Sequence, residues 1–167
     1  MTFTQAIRTC MRKYVTFSGR ASRPEYWKFI LFVIIGTILF GVVDAILFGT
    51  TMVETSPGHA ALQADGPLAG LFALVTFLPA LAAGWRRMHD TGRTGFYLFY
   101  PLIVMVGITG ALAFFGGLDA VQDGAADIVA SAILIPAMIV LAVSPLLVLW
   151  WLARPSEPRP NQWGPQP

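Results

Sequence analysis

The sequence predicts an all-α membrane protein with four transmembrane helices, both termini in the cytoplasm and a short amphipathic interfacial helix at the N-terminus. The chain is 56% hydrophobic and only 12% charged, whereas soluble globular domains carry about 25% charged residues. Four long apolar runs are each long enough to cross a hydrocarbon core of about 30 Å at about 1.5 Å per residue. The predicted spans are about 26–49, 68–85, 95–117 and 128–153.

Residues 1–25 form a cytoplasmic segment before the transmembrane domain of residues 26–153. Within this segment, apolar side chains recur at helical spacing opposite basic ones, which predicts a short amphipathic helix. The apolar positions are Phe3, Ile7, Met11 and Tyr14. Two interpretations are open: the helix lies flat on the bilayer, or it packs against the rest of the protein.

Local signals mark where the helices begin and where they are interrupted. Ser22 can cap the first span, Pro24 suits its first turn, and Glu25 would complete a capping box. Prolines inside the spans remove backbone hydrogen bonds, which neighbouring helices or hydroxyl side chains such as Ser144 must replace. The tail of residues 154–167 is rich in proline, so we expect it to be extended rather than helical.

The basic residues fix the predicted orientation. All 11 Lys and Arg residues lie in segments 1–28, 86–94 and 154–167. The intervening segments 50–66 and 118–127 carry acids but no Lys or Arg. The positive-inside rule therefore places both termini and the 86–94 segment in the cytoplasm. Aromatic residues at the same ends of the spans are typical of an interfacial belt, namely Tyr26, Trp27, Trp85, Tyr97, Tyr100, Trp150 and Trp151.

Several functional classes lack support. A net charge of +2, with basic residues scattered around apolar runs, does not predict nucleic-acid binding. Cys10 is the single cysteine, so neither an internal disulfide nor a cysteine zinc site is expected. His89 has no second histidine nearby, because His59 lies in the opposite loop. We expect no metal, no cofactor and no catalytic residues.

Three segments carry a family resemblance. FSGRASRPEYWKF at 17–29, RRMHDTGRTG at 86–95 and NQWGP at 161–165 resemble the signatures of the domain of unknown function 805 family. The resemblance covers essentially the whole chain and implies a small multi-pass protein of the bacterial inner membrane. It brings no established activity, substrate or catalytic residues. Two mild departures are Met88, where the family pattern has leucine, and Thr94, near which it has serine.

The predicted topology brings two charged motifs together on the cytoplasmic face. Their ionisable residues are Arg20, Arg23, Glu25, Arg86, Arg87, His89, Asp90 and Arg93. One interpretation is a positive anchor combined with an ion-pair clamp between helices, and we favour it. The other is a site for lipid headgroups or a phosphorylated ligand, since guanidinium groups bind carboxylate and phosphate oxygens bidentately.

The 86–94 segment is predicted to be a loop between the second and third spans. His89 beside Asp90 suggests catalysis, but adjacent side chains rarely orient one another in that way. Asp90 and the next two residues fit a turn, in which Gly92 is free to adopt positive φ. Thr94 is then available to cap the third helix.

Asp44 is the candidate intramembrane acid. It lies about 24 Å along the first span from Lys28, near the outer boundary of the hydrocarbon core. Such an acid is a candidate for a proton or cation path. The alternative is that its carboxylate reaches water at the outer headgroups.

These features lead to three hypotheses about function. The first is a non-enzymatic inner-membrane protein whose cytoplasmic Arg, His and Asp side chains bind anionic lipid or a partner protein. The second is a small transporter or transport accessory that uses Asp44, as a homo-oligomer or with a membrane-protein partner. The third is a membrane enzyme that acts on a phosphorylated lipid at residues 86–95.

Overall fold

The computed structural model describes residues 1–56, 59–114 and 128–167, and most of these residues are helical. In chain order the elements are α1 (Phe3–Arg12), α2 (Arg23–Phe48), β1 (Thr50–Ser56), β2 (His59–Ala64), α3 (Leu68–Asp90), a 3-10 helix (Gly95–Phe99), α4 (Tyr100–Phe114) and α5 (Ile128–Ala153). The helical content agrees with the predicted all-α class, and β1 and β2 are an addition to it.

Three helical stretches in the described residues are long and apolar enough to cross a membrane. They are α2, α3 and the Ile135–Ala153 part of α5. The region of the predicted third span contains a shorter apolar stretch, Gly95–Ala111. The acidic segment predicted at 118–127 lies outside the described residues. The fold is therefore that of a helical membrane protein with three clear candidates for spans.

Helix α1 is the predicted N-terminal helix, and it packs on the helices that follow. Thr2 and Gln5 form a capping box at its start, because each side chain binds the backbone N–H of the other residue. Ala6 and Cys10 are fully buried on the side that contacts α2 and α3. Phe3 and Met11 of the predicted apolar face remain 40% and 36% exposed. A narrow strip of small side chains thus joins α1 to the protein.

Helix α2 starts as the sequence predicts, with one difference. The Ser22 hydroxyl accepts a hydrogen bond from the backbone N–H of Glu25 at 3.4 Å, and Pro24 lies in the first turn. The Glu25 carboxylate does not complete a capping box. It is buried and pairs with Arg86 instead, because a buried guanidinium needs a counter-charge more than an exposed helix end needs a second cap.

Two prolines inside the helices have their lost hydrogen bonds replaced. Pro79 has no N–H for the carbonyl four residues earlier, which is that of Val75. The Tyr14 hydroxyl donates to this carbonyl at 2.6 Å. The Ser144 hydroxyl donates, at 2.9 Å, to the carbonyl that Pro145 leaves free in α5. Both carbonyls are therefore satisfied without water, as a membrane interior requires.

The predicted loop at 50–66 contains a β-hairpin. Strands β1 and β2 pair antiparallel, with Thr50 opposite Ala64 and Thr51 opposite Gln63. The Thr51 hydroxyl donates to the Asp65 carboxylate at 2.8 Å just beyond the second strand. The β-branched residues of β1 favour an extended backbone. The prediction of a loop considered only the charges of this segment and therefore missed the strands.

The buried core is concentrated at one end of the helices. It contains Cys10, Tyr26, Phe29, Ala83, Met88, Val148 and Leu152. Away from this end, apolar side chains point outwards: Ile46 is 75% exposed, Leu74 is 70% and Met138 is 59%. A soluble monomer rarely exposes so much contiguous apolar surface, whereas lipid solvates it readily. The helices therefore present their apolar sides to a membrane and their packed end to charged residues.

Candidate functional site

The two charged motifs meet where the N-terminus of α2 and the C-termini of α3 and α5 come together. We call this region the basic end. The backbone N–H of Ala21, just before α2, donates to the Arg86 carbonyl of α3 at 3.1 Å. This contact brings the side chains of both motifs within reach of one another.

The carboxylate of Asp90 binds two guanidinium groups. Arg20 Nε lies 2.9 Å from its Oδ1, and Arg87 Nη1 binds its Oδ2. All three side chains are at most 1% exposed. Arg87 and Asp90 are three residues apart on α3, so they share a face of the helix. Arg20 comes from the segment before α2, which makes its pair with Asp90 a link between two parts of the chain.

Arg87 also binds the end of α5. Its Nε donates to the Leu152 carbonyl at 2.9 Å, and its Nη2 donates to the Arg154 carbonyl. Arg23 donates to the same Arg154 carbonyl at 2.7 Å. The last carbonyls of a helix lack intrahelical partners and carry partial negative charge. The two arginines therefore cap α5 and attach it to α2 and α3.

A third ion pair joins Glu25 of α2 to Arg86 of α3. Their closest atoms, Oε1 and Nη1, are 2.5 Å apart, and the two side chains are 5% and 0% exposed. Nε and Nη2 of Arg86 are buried without a hydrogen-bond partner in the described part of the chain. Arg86 thus depends on Glu25 as its counter-charge.

Cys10 lies beside this ion pair. Its Sγ is 4.0 Å from Glu25 Oε1, and the residue is fully buried. Burial, with a further contribution from the negative charge of Glu25, raises the pKa of the Cys10 thiol to about 11. The thiol is therefore protonated at neutral pH and is a packing group rather than a nucleophile.

The prediction of a loop at 86–94 is wrong for residues 86–90, which are helical. Helix α3 continues through Arg86 and ends at Asp90, because the charged side chains of its last turns have buried partners to bind. The turn follows at Thr91 and Gly92, and Gly92 has φ of 75°, as predicted for that glycine. Thr94 precedes the 3-10 helix, but its side chain makes no capping hydrogen bond.

His89 does not form a pair with Asp90. Its Nδ1 lies 3.0 Å from the carbonyl of Gly19. Its ring is stacked on Trp163, with centroids 4.5 Å apart and planes 9° apart. The tail therefore packs on the imidazole through Trp163. The Asp90 carboxylate binds Arg20 and Arg87 instead of His89.

The C-terminal tail is the part of the site that the sequence analysis missed. Arg20 donates to the carbonyls of Arg159 and Glu157 at 2.9 and 2.6 Å. The backbone N–H of Glu157 donates to the Asp90 carbonyl at 2.9 Å, and the Asn161 side-chain amide donates to the His89 carbonyl at 3.0 Å. The tail is therefore docked on the basic end. The sequence offers a signal in the NQWGP segment, because its Trp can pack on an apolar or aromatic surface and its Asn can form hydrogen bonds.

Arg93 lies apart from the ion pairs. Its guanidinium lies 5.1 Å from the ring centroid of Trp151, and its Nη1 donates to the Thr91 carbonyl. Arg154 lies 4.8 Å from the ring of Trp150 in the same way. Seven of the eight predicted side chains are joined by ion pairs or by shared contacts with the tail and α5, while Arg93 is partly exposed and contacts Trp151. The seven are Arg20, Arg23, Glu25, Arg86, Arg87, His89 and Asp90.

Asp44 caps α3 from the neighbouring helix. Its two carboxylate oxygens accept hydrogen bonds from the backbone N–H groups of Leu68 and Ala69 at 3.0 and 2.7 Å. The residue is fully buried, and a Cβ at Gly66 would collide with its carboxylate. The carboxylate therefore satisfies the start of α3 and is buried in the protein, which differs from the predicted contact with water at the outer headgroups.

The described ranges contain no group of three or more His, Cys, Asp and Glu side chains placed to hold a metal ion. The chemistry that the basic end offers is instead charge pairing and anion recognition by arginine.

Comparison with known proteins places the chain in a family. The family model described as "Protein of unknown function (DUF805)" matches residues 14–165. The chain belongs to this family. The match includes both charged motifs and the docked tail, so the basic end is built from segments that the family model covers.

Two relatives of known location come from Escherichia coli K12. The chain is 36% identical to the inner membrane protein YhaH over 97 residues, which is 58% of this chain and 72% of that protein. It is also 36% identical to the inner membrane protein YhaI over 106 residues, 63% of this chain and 77% of that protein. No solved structure matches the chain. Together with the apolar helices, these relatives make this DUF805 chain a membrane protein.

The Glu25–Arg86 pair predicts a specific stability pattern. Arg86→Met leaves Glu25 charged and buried without its partner, so we expect a loss of about 3–5 kcal/mol in the free energy of unfolding. Glu25→Gln together with Arg86→Met removes both charges and should cost less than Arg86→Met alone. Denaturant unfolding in detergent micelles measures both variants. Arg8→Met, at an exposed position of α1, is the matched control, and an equal loss in Arg8→Met and Arg86→Met would contradict the pairing.

Because the His89 ring stacks on Trp163, we expect removal of the Trp163 ring to weaken the attachment of the tail to the basic end. Trp163→Ala removes the stacked ring, so the amide hydrogens of residues 157–164 should exchange faster with solvent than in the native chain. Hydrogen exchange measured by mass spectrometry reports this rate. Gln162→Ala changes an exposed neighbour in the same segment and should leave the rate unchanged. Equal exchange in the two variants would show that the tail is not held by this stack.

Proposed function

We propose that this chain is a multi-pass protein of the bacterial inner membrane that crosses it four times, with both termini in the cytoplasm. The three apolar helices and the shorter apolar stretch Gly95–Ala111 support four crossings. The confinement of all 11 basic residues to alternate segments supports the orientation. The basic end then faces the cytoplasm, and the β-hairpin faces outwards.

The function that the geometry supports best is non-enzymatic binding of anionic lipid by the outward basic residues around the basic end. The observation that carries this proposal is that three basic side chains are buried in ion pairs, whereas the others reach the surface without one in the described residues. Arg20, Arg86 and Arg87 are the buried group. Arg8, Arg12, Lys13, Arg154 and Arg159 are exposed, and Arg23, Lys28 and Arg93 are partly exposed.

The buried group argues against turnover. An enzyme acting on a phosphorylated lipid at residues 86–95 needs a free acid or base, but Asp90 and Glu25 are each held by arginine. His89 is covered by Trp163. The exposed group, in contrast, suits a surface role, since each Lys or Arg near an anionic leaflet contributes about 1 kcal/mol of attraction.

The proposed orientation predicts where an introduced cysteine reacts. Cys10 is buried, so it is replaced by Ala, and a single cysteine is placed at an exposed position. Arg12→Cys should resist an impermeant thiol reagent in intact spheroplasts and react after lysis. The native Leu62 side chain on the hairpin is 71% exposed, so Leu62→Cys should react in intact spheroplasts. Labelling of Arg12→Cys from outside would reverse the orientation.

The proposed lipid binding predicts selective retention. The purified protein, taken from bilayers of equal phosphatidylglycerol and phosphatidylcholine, should retain phosphatidylglycerol in excess. High salt should reduce this excess, because exposed charges are screened beyond a few ångströms at high ionic strength. Mass spectrometry of the retained lipids gives the ratio. A ratio equal to that of the bilayer at low salt would refute anionic lipid binding.

A further inference from the structure

Arg93 and Arg154 form a pair of cations at the edge of the basic end. Arg93 follows the turn after α3, and Arg154 follows the last residue of α5. Each guanidinium lies over a tryptophan ring, Arg93 over Trp151 at 5.1 Å and Arg154 over Trp150 at 4.8 Å. Trp150 and Trp151 are consecutive residues near the end of α5, so attraction between each cation and its aromatic ring holds both groups at the C-terminal end of this helix.

The backbone around this pair is fixed from inside. The carbonyl of Arg154 accepts hydrogen bonds from Arg23 and Arg87 of the buried network. Arg93 Nη1 donates to the Thr91 carbonyl at 2.9 Å, which orients its guanidinium relative to the turn. The two cations are therefore preorganised, and ordering them on binding a ligand costs little additional entropy.

The charge of the pair is not compensated within the described residues. The three ion pairs found there involve neither Arg93 nor Arg154. The carboxylate of Glu157, beside Gly92, accepts a hydrogen bond from the Asn161 amide at 2.8 Å and is in none of these ion pairs. The pKa of Arg93 lies below its usual range, first because burial removes water and then because Arg154 repels a second positive charge. An anion between the two guanidinium groups relieves this repulsion.

The surroundings of the pair indicate which anion fits. Trp150 and Tyr97 are 54% and 43% exposed beside the cations, and Leu146, one turn earlier on α5, is 61% exposed. Aromatic side chains of this kind lie at the level of lipid headgroups, and exposed leucine lies against acyl chains. The site therefore offers cations for a phosphate and an adjoining apolar wall for the tails attached to it.

We propose that Arg93 and Arg154, framed by Trp150 and Trp151, form a specific site for the phosphodiester of an anionic phospholipid. The inference rests on the lipid binding proposed above and narrows it from a diffuse basic surface to one site. It differs from the interpretation based on sequence, in which Arg86 and Arg87 were equal candidates, because those two side chains are buried.

The test compares two double variants that remove the same charge. Arg93→Gln with Arg154→Gln should lower retained phosphatidylglycerol by roughly tenfold, since two direct phosphate contacts are lost. Arg8→Gln with Arg12→Gln removes the same charge from the diffuse basic surface of α1. This variant should lower the retained phosphatidylglycerol much less, because neither side chain belongs to the phosphate site. Both variants keep every backbone contact of Arg154, and unchanged thermal midpoints in detergent check that each is folded.

The outcomes separate the site from the general proposal. If the native chain retains no excess of phosphatidylglycerol, both proposals fail. If it does, and the α1 variant loses the excess while the Arg93 and Arg154 variant keeps it, lipid binding stands and this site is refuted. Inorganic phosphate at millimolar concentration should not displace the lipid. Displacement by phosphate would show a site for a soluble anion and would overturn the assignment to phospholipid.

Discussion

The carboxylate of Asp90, bound on one side by Arg20 and on the other by Arg87, is the interaction on which the basic end depends. A carboxylate without exposure to water is tolerated only when cations and hydrogen bonds replace its hydration. Arg20 and Arg87 supply this replacement, and each uses its remaining N–H groups on backbone carbonyls. Arg20 reaches Glu157 of the tail, and Arg87 reaches Leu152 of α5. One acid thus gathers the segment before α2, the end of α3, the end of α5 and the tail.

The charge balance of the buried network explains why α5 belongs to it. Three buried guanidinium groups face only two carboxylates, Glu25 and Asp90. Part of the missing negative charge is supplied by the C-terminus of α5, whose unpaired carbonyls carry roughly half an elementary charge. Arg87 donates to the carbonyl of Arg154, as does Arg23 from the start of α2. The helix end therefore acts as a further negative group, and Arg87 links it to Asp90.

The sequence predicts where charges lie along the chain better than how deeply they are buried. Hydropathy identified α2, α3 and α5, and the motifs at 17–29 and 86–95 were expected to meet. The positive-inside rule assigns a side of the membrane but not a depth, so it does not distinguish the buried Arg86 from the partly exposed Arg93. The predicted span ended at residue 85, five residues before the end of α3, because the first charged residues were taken to mark the membrane boundary. The tail was predicted to be extended, but its attachment to the basic end was not predicted. This attachment depends on the stacking of Trp163 on the His89 ring, which is 74 positions away in the sequence.

Polar contacts determine which face of α2 packs against α3. Lipid is as apolar as leucine, so no hydrophobic force decides which face of α2 meets α3. Close packing contributes where Gly36 admits the ring of Phe72, but apolar side chains surround most of both helices. Rotation of α2 about its axis would separate Glu25 from Arg86 at one end and Asp44 from the start of α3 at the other. A buried charge without its partner is costly at either end. Glu25 and Asp44 therefore favour one rotation of α2 about its axis. Apolar side chains at these two positions would pack equally well but would not select that rotation.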